Sequence, residues 1–124
     1  MTDLTETIDT YLAAWNDPDE QTRSRLIEQA WSVDGRLIDP PLAAEGHAEI
    51  SQMVSGLHAQ FPGHRFRRAS GIDAHHGQLR FAWELVAPDG TVALSGIDVG
   101  EVASDGRLAR ISGFFGPLPD SESA

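Results

Sequence analysis

One carboxylate stands in a segment that otherwise has the pattern of a buried β-strand. In the stretch ALSGIDVGEV, residues 93–102, the apolar residues favour burial, but Asp98 lies among them with no adjacent Arg or Lys. A buried carboxylate without a partner is costly, so such a group usually binds a proton instead. Asp98 is therefore a candidate for a neutral carboxylic acid that could donate a hydrogen bond inside the protein.

Two further residues could complete an acid–base site with Asp98. Tyr11, the only tyrosine, lies on the apolar stripe of a predicted helix, and a buried phenol normally has a hydrogen-bond partner. The phenol and a neutral Asp98 could both donate to one developing oxygen anion. Asp39, at a predicted strand end, could remain ionised and remove a proton bound to carbon. Such a site would abstract a proton next to a carbonyl group and then isomerise or cyclise the product, with no cofactor or metal required.

Each of these three residues also has a structural interpretation. Tyr11 could donate to a backbone carbonyl in the core, and Asp39 could cap a turn. Arg68 or Arg110 could reach Asp98 and form an ion pair with it. The sequence leaves these alternatives open.

The histidines indicate no metal site. His58, at the edge of the apolar stripe of a predicted helix, could face a cavity as a second acid–base group or could be a partly buried structural residue. The first possibility leaves open a hydrolase or dehydratase that uses a His–Asp pair. His75 and His76 fall in a predicted turn, and no metal-ligand spacing is present. The chain has no cysteine, so it offers no thiolate chemistry.

The first half of the chain has the periodicity of three helices. Apolar residues recur at helical spacing in residues 2–16 and again after a restart at Asp17-Pro18, where Asp17 could be the N-cap. A third helix is predicted over roughly residues 46–61. Between the second and third helices, SVDGRLIDPP predicts a turn at residues 34–35 and then a short strand.

The second half of the chain has the period of β-strands. Four strand segments, HRFRRASGI, QLRFAWELV, TVALSGIDVGEV and RLARISGFF, are separated by the turn sequences DAHHG, APDG and ASDG. The predicted fold class is α+β, with the helices packed on one face of a curved, mostly antiparallel sheet. Both faces of TVALSGIDVGEV carry apolar residues, so we expect helices to cover one face and a second subunit to cover the other.

Three segments, in this order, resemble one family. DTYLAAWN, RLIDPP, and SGIDVGEV followed by RLARISGFFG are similar to the nuclear transport factor 2-like superfamily, in the branch of SnoaL-like polyketide cyclases and ketosteroid isomerases. The resemblance covers about residues 4–116. It implies one domain over residues 1–124, with a tail at 117–124, and a cone-shaped, cystatin-like mixed sheet whose concave face carries the three helices.

The resemblance also implies roles for individual residues. Asp39 matches the general base of ketosteroid isomerases, and Tyr11 and Asp98 match the two donors to their oxyanion, the Asp being protonated. The segment between Tyr11 and Asp39 is a few residues longer than in those isomerases, and GIDVGEV has glycines where they carry bulkier residues. The implied pocket would bind a small, mostly apolar molecule with a polar oxygen. Its lining is expected from Trp15, Met53, Leu57, His58, Phe66, Phe81, Trp83 and Phe115.

Composition and charge limit the classes of partner. The formal net charge of −10 argues against nucleic acid and anionic membranes as partners. The acidic, polar start of the sequence is unlike a signal peptide, and no run of apolar residues is long enough for a membrane span, so a cytoplasmic location is expected. The sequence leaves two main hypotheses: a cofactor-independent isomerase or cyclase, and a non-catalytic module that binds a ligand or dimerises.

Overall fold

The computed structural model describes residues 3–122, which form three helices and a seven-stranded sheet. The elements, in chain order, are α1 (Leu4–Asn16), α2 (Glu20–Ala30), β1 (Trp31–Asp39), β2 (Leu42–Glu45), α3 (His47–Gln60), β3 (Arg65–Arg68), β4 (Asp73–His75), β5 (Gln78–Val86), β6 (Val92–Val102) and β7 (Leu108–Phe115). None of these helices is long and apolar enough to cross a membrane.

The sheet is mixed but mostly antiparallel. Its strands lie in the order β2-β1-β7-β6-β5-β3, and the short β4 pairs with β5 beside this path. Only β1 and β7 run parallel; the other five pairings are antiparallel. With three helices from the N-terminal half, this arrangement confirms the predicted α+β class and its curved sheet.

The core lies between α1 and the helix-facing side of the sheet. Alternation along β6 shows the two sides: Gly96 and Asp98 are buried, while Ser95 and Ile97 are exposed. In β5 as well, the side chains on the helix-facing side are the apolar ones. Full burial of an aliphatic or aromatic side chain stabilises a fold by about 1.5–3 kcal/mol. Helix α1 covers this side with the buried residues Thr7, Ile8, Tyr11, Leu12, Ala14 and Trp15.

The start of α2 differs from the prediction. Its N-cap is Asp19, whose Oδ2 accepts hydrogen bonds from the Thr22 backbone N–H at 3.0 Å and from the Thr22 hydroxyl at 2.6 Å. Asp17, the expected cap, instead accepts from the backbone N–H of Asp19 at 2.9 Å. Two donors from Thr22 make Asp19 the better cap, so the helix begins two residues later than Pro18 suggested.

The strand content also differs from the prediction at three places. Strand β1 begins at Trp31 and runs through residues 34–35, where a turn was expected, and its register against β7 shifts between Trp31 and Arg36. This irregularity accommodates Asp34 and Gly35 within the strand, so the strand does not end at these residues. The short strands β2 and β4 were not predicted, because four and three residues are too few to show a period.

Two glycines of β6 are required by close packing. A Cβ atom on Gly96 would lie 2.5 Å from Cζ2 of the Trp83 indole and would collide with the carbonyl oxygen of Phe114. A Cβ atom on Gly100 would lie 2.7 Å from Cδ1 of Ile111. The glycines that depart from the ketosteroid isomerase pattern therefore make room for side chains of the neighbouring strands.

This packing predicts opposite effects for two glycine-to-alanine changes. Gly96→Ala should lower the free energy of unfolding by about 1–3 kcal/mol, because the new methyl group overpacks against Trp83 and backbone. Gly56→Ala, in the interior of α3 with open space around it, should raise stability by up to about 1 kcal/mol. Urea unfolding of both variants tests this, and equal effects would contradict the packing account.

Candidate active site

A row of three residues crosses the sheet beneath α1. Asp98 of β6 pairs with Gly113 of β7, and Ile38 of β1 pairs with Ser112, so Asp39 lies beside Gly113 at the next position. A Cβ atom on Gly113 would be 2.7 Å from Oδ1 of Asp39 and 3.2 Å from Oδ1 of Asp98. The missing side chain thus leaves a gap over β7 that both carboxyl groups enter.

Helix α1 places Tyr11 over this row. The Tyr11 hydroxyl donates to Oδ2 of Asp98 at 2.8 Å, and both side chains are buried. The phenol ring packs edge-on against Trp31 and Phe81, with ring centroids 5.7 and 6.3 Å apart. Tyr11 therefore does not donate to a backbone carbonyl, and the first of the alternatives raised by the sequence is wrong.

The two arginines that could have neutralised Asp98 are engaged elsewhere. Nη1 of Arg68 donates to the carbonyl oxygen of Ser70, and its buried Nε, which has no hydrogen-bond partner, lies 3.5 Å from Oδ1 of Asp9 in an ion pair. Arg110 lies 3.7 Å from a carboxylate oxygen of Glu101 and donates to the Ser112 hydroxyl. Among residues 3–122 no ion pair involves Asp39 or Asp98, so the predicted alternative of a structural ion pair is wrong.

Burial therefore controls the protonation of the site. It raises the pKa of Asp98 to about 7; the Asp39 charge adds to this rise, while the Tyr11 hydrogen bond and Trp83 oppose it. Burial alone raises the pKa of Asp39 to about 6. Burial and the neighbouring Asp98 raise the pKa of Tyr11 well above its ordinary value, so the phenol keeps its proton. The more buried carboxyl, Asp98, therefore keeps its proton to a higher pH, and the half-buried Asp39 ionises first.

Two polar atoms of this region are buried without a hydrogen-bond partner, Oδ1 of Asp39 and Nε1 of Trp83. The indole is near enough to lower the pKa of Asp98, yet its N–H has no acceptor with hydrogen-bond geometry. An unsatisfied buried donor or acceptor costs about 1–3 kcal/mol. The site therefore has both an acceptor and a donor that a ligand could satisfy after a small displacement of the walls.

The cavity over the row is narrow. It leaves about 10 Å³ for the centre of a water molecule, which is room for about one water. Three aromatic residues fill the rest, with ring centroids 5.2 Å apart for Trp15 and Phe66 and 5.4 Å for Phe66 and Trp83. An organic ligand must displace one of these rings. The lining residues are Tyr11, Leu12, Trp15, Asp39, Phe66, Trp83 and Asp98.

Five residues expected in the pocket lie elsewhere. Met53 lines a surface groove between α3 and β2, and Leu57 is partly buried against the core. Nε2 of His58 contacts the carbonyl oxygen of Trp15 at 2.6 Å, so His58 fixes the end of α1 instead of facing a carboxylate. Phe81 supports the Tyr11 ring from β5, and the half-exposed Phe115 packs on the far edge of Trp83.

Sequence reasoning missed two residues of the site. Leu12 lines the cavity, and its place beside Tyr11 on the apolar stripe of α1 was an available signal. Asn16 holds the Phe66 wall: its Nδ2 donates to the carbonyl oxygen of Phe66 at 2.9 Å, and its Oδ1 accepts from the Phe66 N–H at 2.7 Å. This pair satisfies the free edge of β3. Asn16 is the last residue of the DTYLAAWN segment that carries the family resemblance, but nothing in the sequence pattern shows its contact with Phe66.

The raised pKa of Asp98 predicts a pH-dependent stability. The native state holds the Asp98 proton up to a pH of about 7, whereas the unfolded chain releases it near 4. Stability should therefore fall as the pH rises through this window, by up to about 1.4 kcal/mol per pH unit. Asp98→Asn removes this contribution. The free energy of unfolding of the variant minus that of the wild type should therefore increase as the pH rises from 4 to 8, as measured by urea unfolding.

A matched control is Asp89→Asn. Hydrogen bonds from Thr91 lower the pKa of the exposed Asp89. The contribution of Asp89 to stability is therefore lost only as the pH falls below the ordinary pKa of an Asp side chain. The stability difference between this variant and the wild type should stay constant from pH 5 to 8. A constant difference for Asp98→Asn as well would contradict the proposed protonation.

Solved structures place the chain among known proteins, although neither a family model nor a curated protein matches its sequence. A hypothetical protein with a ketosteroid isomerase-like fold from Catenulispora acidiphila, in complex with trimethylamine, has 11% identity over 88% of this chain and 84% of its own, with a TM-score of 0.71. A Jannaschia protein provisionally named a SnoaL-like polyketide cyclase has 15% identity over 90% and 85% of the two chains, with a TM-score of 0.66. At these identities the likeness shows the fold alone.

One solved structure is much more similar. It is a protein from Agrobacterium tumefaciens strain C58, provisionally named an isomerase of the SnoaL-like family. Its identity is 38% over 94% of this chain and 100% of that chain, and the TM-score is 0.87. The resemblance seen in the sequence is thereby confirmed, and the chain belongs to the SnoaL-like family.

Proposed function

We propose that this protein is a cofactor-independent isomerase or cyclase that removes a proton next to a carbonyl group of a small, mostly apolar substrate. Asp39 is the base, and Tyr11 and Asp98 are the donors to the developing oxygen anion. The observation that carries the proposal is the buried 2.8 Å hydrogen bond between the Tyr11 hydroxyl and Asp98, in a cavity that Asp39 also lines.

The chemistry follows from the environments of the two carboxyl groups. An ionised Asp39 takes the proton from carbon, and the C–H electron pair forms the enolate double bond. The negative charge that develops on the carbonyl oxygen is stabilised by the O–H groups of Tyr11 and a protonated Asp98. Donors in this water-poor site act more strongly than they would in water. The proton then returns to another carbon, or the enolate carbon closes a ring by attacking a second carbonyl carbon of the substrate, whose π pair moves to its oxygen and takes up the proton.

Substrate access requires a change in the cavity wall. Phe66 is the most suitable element to move, since it is only partly buried and belongs to the edge strand β3. The two hydrogen bonds of Asn16 hold it in place in the closed arrangement. Outward movement of Phe66 would open the side of the cavity that faces Trp15 and Trp83, and the three catalytic groups would stay in place on α1, β1 and β6.

The proposal predicts the loss of turnover in three variants. With 3-cyclohexenone as a small probe, whose isomerisation to the conjugated ketone is followed by ultraviolet absorbance, Asp39→Asn should lower kcat by about 100- to 10,000-fold. Tyr11→Phe and Asp98→Leu should each lower kcat by about 100-fold or more, because each removes one donor.

The control is Asp73→Asn, an exposed carboxylate that pairs with Arg80 on β5 and should leave kcat unchanged. Full activity of a folded Asp39→Asn variant would remove Asp39 from the mechanism. Circular dichroism and thermal unfolding establish that each variant is folded.

A second candidate is a non-catalytic ligand-binding module, and the narrow cavity favours it. Aromatic rings occupy most of the space over the carboxyl row. A module of this kind would bind a ligand with an affinity that Asp39→Asn leaves nearly unchanged, and it would not convert that ligand. The third hypothesis, a hydrolase or dehydratase with a His–Asp pair, loses its support because His58 contacts the Trp15 carbonyl and does not line the cavity.

We further propose that the protein forms a homodimer through the outer face of the sheet. This face lacks a covering layer and exposes three large apolar residues: Ile97, Phe114 and, beyond the end of β7, Leu118. They line one continuous apolar groove with Val99 of β6 and Ala82 of β5. Exposed apolar patches of this kind mark interaction surfaces, and a two-fold axis would place the same patch of one chain on that of another.

The dimer proposal predicts a change of mass in solution. Phe114→Glu places a charge on the patch while leaving the buried face of β7 intact, so it should convert a dimer into a monomer in sedimentation experiments. Val33→Glu is the matched control, because Val33 is 73% exposed on β1 outside the patch and its change should leave the dimer intact. A monomeric wild-type protein would contradict the proposal.

A further inference from the structure

Gly113 sets the distance between the two carboxyl groups of the site. The atoms nearest to the position of its missing Cβ are Oδ1 and Cγ of Asp39, at 2.7 and 3.3 Å, and Oδ1 of Asp98, at 3.2 Å. The two oxygen atoms therefore lie within about twice a hydrogen-bond length of each other, on either side of the glycine. A side chain at position 113 would separate them.

The groups that surround the pair leave its charge uncompensated. From α1, the neutral Tyr11 hydroxyl donates to Asp98, and from β5 the Trp83 indole approaches it. The ionisable groups of the neighbouring elements have other partners: Arg68 of β3 has Asp9, Arg110 of β7 has Glu101, and His58 of α3 has the Trp15 carbonyl. Two carboxylates this close, buried and without a cation, do not readily ionise together. Near neutral pH the pair therefore holds one proton.

We propose that Asp39 and Asp98 act as one coupled pair, that Gly113 is the positioning residue that sets their spacing, and that the pair transfers a proton from carbon to oxygen of an enolisable ketone. This inference rests on the proposed function and specifies its reaction: keto–enol tautomerisation, with the enol as the product.

The transfer balances within the pair. Asp39 removes the proton from carbon, and the C–H electron pair becomes the C=C bond. The carbonyl π pair takes the proton of Asp98 and becomes the new O–H bond. Asp39 is then neutral and Asp98 ionised, so the pair still carries one negative charge, and return of the proton from Asp39 to Asp98 restores the starting state. With a pKa of about 7, Asp98 is a stronger acid than an enol, whose acidity is close to the ~10 of a phenol, so transfer to oxygen is downhill.

Carboxyl titration tests the coupling without any substrate. Carbon-13 NMR of the Asp side chains should show that Asp39→Asn lowers the pKa of Asp98, because it removes the negative charge beside which Asp98 must ionise. Asp98→Asn should leave the pKa of Asp39 nearly unchanged, because Asp98 is still neutral when Asp39 ionises. If Asp39→Asn does not move the pKa of Asp98, the pair does not exist and the inference is overturned.

A third variant tests the role of Gly113. In the Gly113→Ala background, Asp39→Asn should lower the pKa of Asp98 by less than it does in the wild type, because the new methyl group pushes the Asp39 carboxyl away. Gly71→Ala, at a position with open space, is the control and should leave the coupling unchanged. Undiminished coupling in Gly113→Ala would overturn the positioning role. If Gly113→Ala does not fold, the pKa of Asp98 in the Asp39→Asn variant still decides whether the pair exists.

Acetylacetone tests the direction of proton transfer, since it is small, uncharged and has an enol that absorbs in the near ultraviolet. The wild-type protein should accelerate its keto–enol relaxation, and Asp39→Asn and Asp98→Asn should each abolish the acceleration. Acceleration that survives in Asp98→Asn would overturn the pair and leave Asp39 as a lone base. If the wild-type protein shows the coupling but does not accelerate the relaxation, the transfer to oxygen is overturned. The isomerisation of 3-cyclohexenone would still decide the proposed function.

Discussion

The structure depends on the burial of two acids without a cation. Asp98 lies in the middle of a strand, in contact with apolar rings, and its one strong interaction is the hydrogen bond from Tyr11. This arrangement is costly in an ionised state and tolerable in a neutral one. It links the fold to the chemistry, because the same packing that excludes water from Asp98 also keeps its proton in place and leaves the outer carboxyl, Asp39, to carry the charge.

The sheet provides this environment through glycines in strands β6 and β7, at positions where side chains from neighbouring strands need the space. Gly96 makes room for the Trp83 indole, and Gly113 makes room for the two carboxyl groups. Gly96 also explains the narrow cavity, because the absence of a Cβ at this position lets Trp83 come close to Asp98. A binding site in this protein is therefore tighter than the fold alone would suggest, and the size of its ligand depends on the movement of Phe66.

The sequence predicted the architecture and the polar centre well because both have local signals. A carboxylate in an apolar strand, a tyrosine on an apolar helical stripe and an Asp-Pro pair are visible one segment at a time, and the structure brings Tyr11, Asp39 and Asp98 to one cavity. The aromatic lining was predicted only in part, with Trp15, Phe66 and Trp83 at the cavity. His58 and Phe115 could not be placed, because their orientation depends on the tilt of α3 and on the end of β7. Asn16 and Gly113 act through long-range contacts, with Phe66 and with the two acids, that no periodicity reports.

The central claim is that Asp98 keeps its proton in the folded protein near neutral pH. Infrared difference spectroscopy of the wild type against Asp98→Asn at pH 6 tests it most directly, because a protonated carboxyl and a carboxylate absorb at separate frequencies. We expect the C=O stretch of a buried carboxylic acid in the wild-type spectrum, absent from that of the variant. A difference spectrum that contains only carboxylate bands at pH 6 would contradict the account.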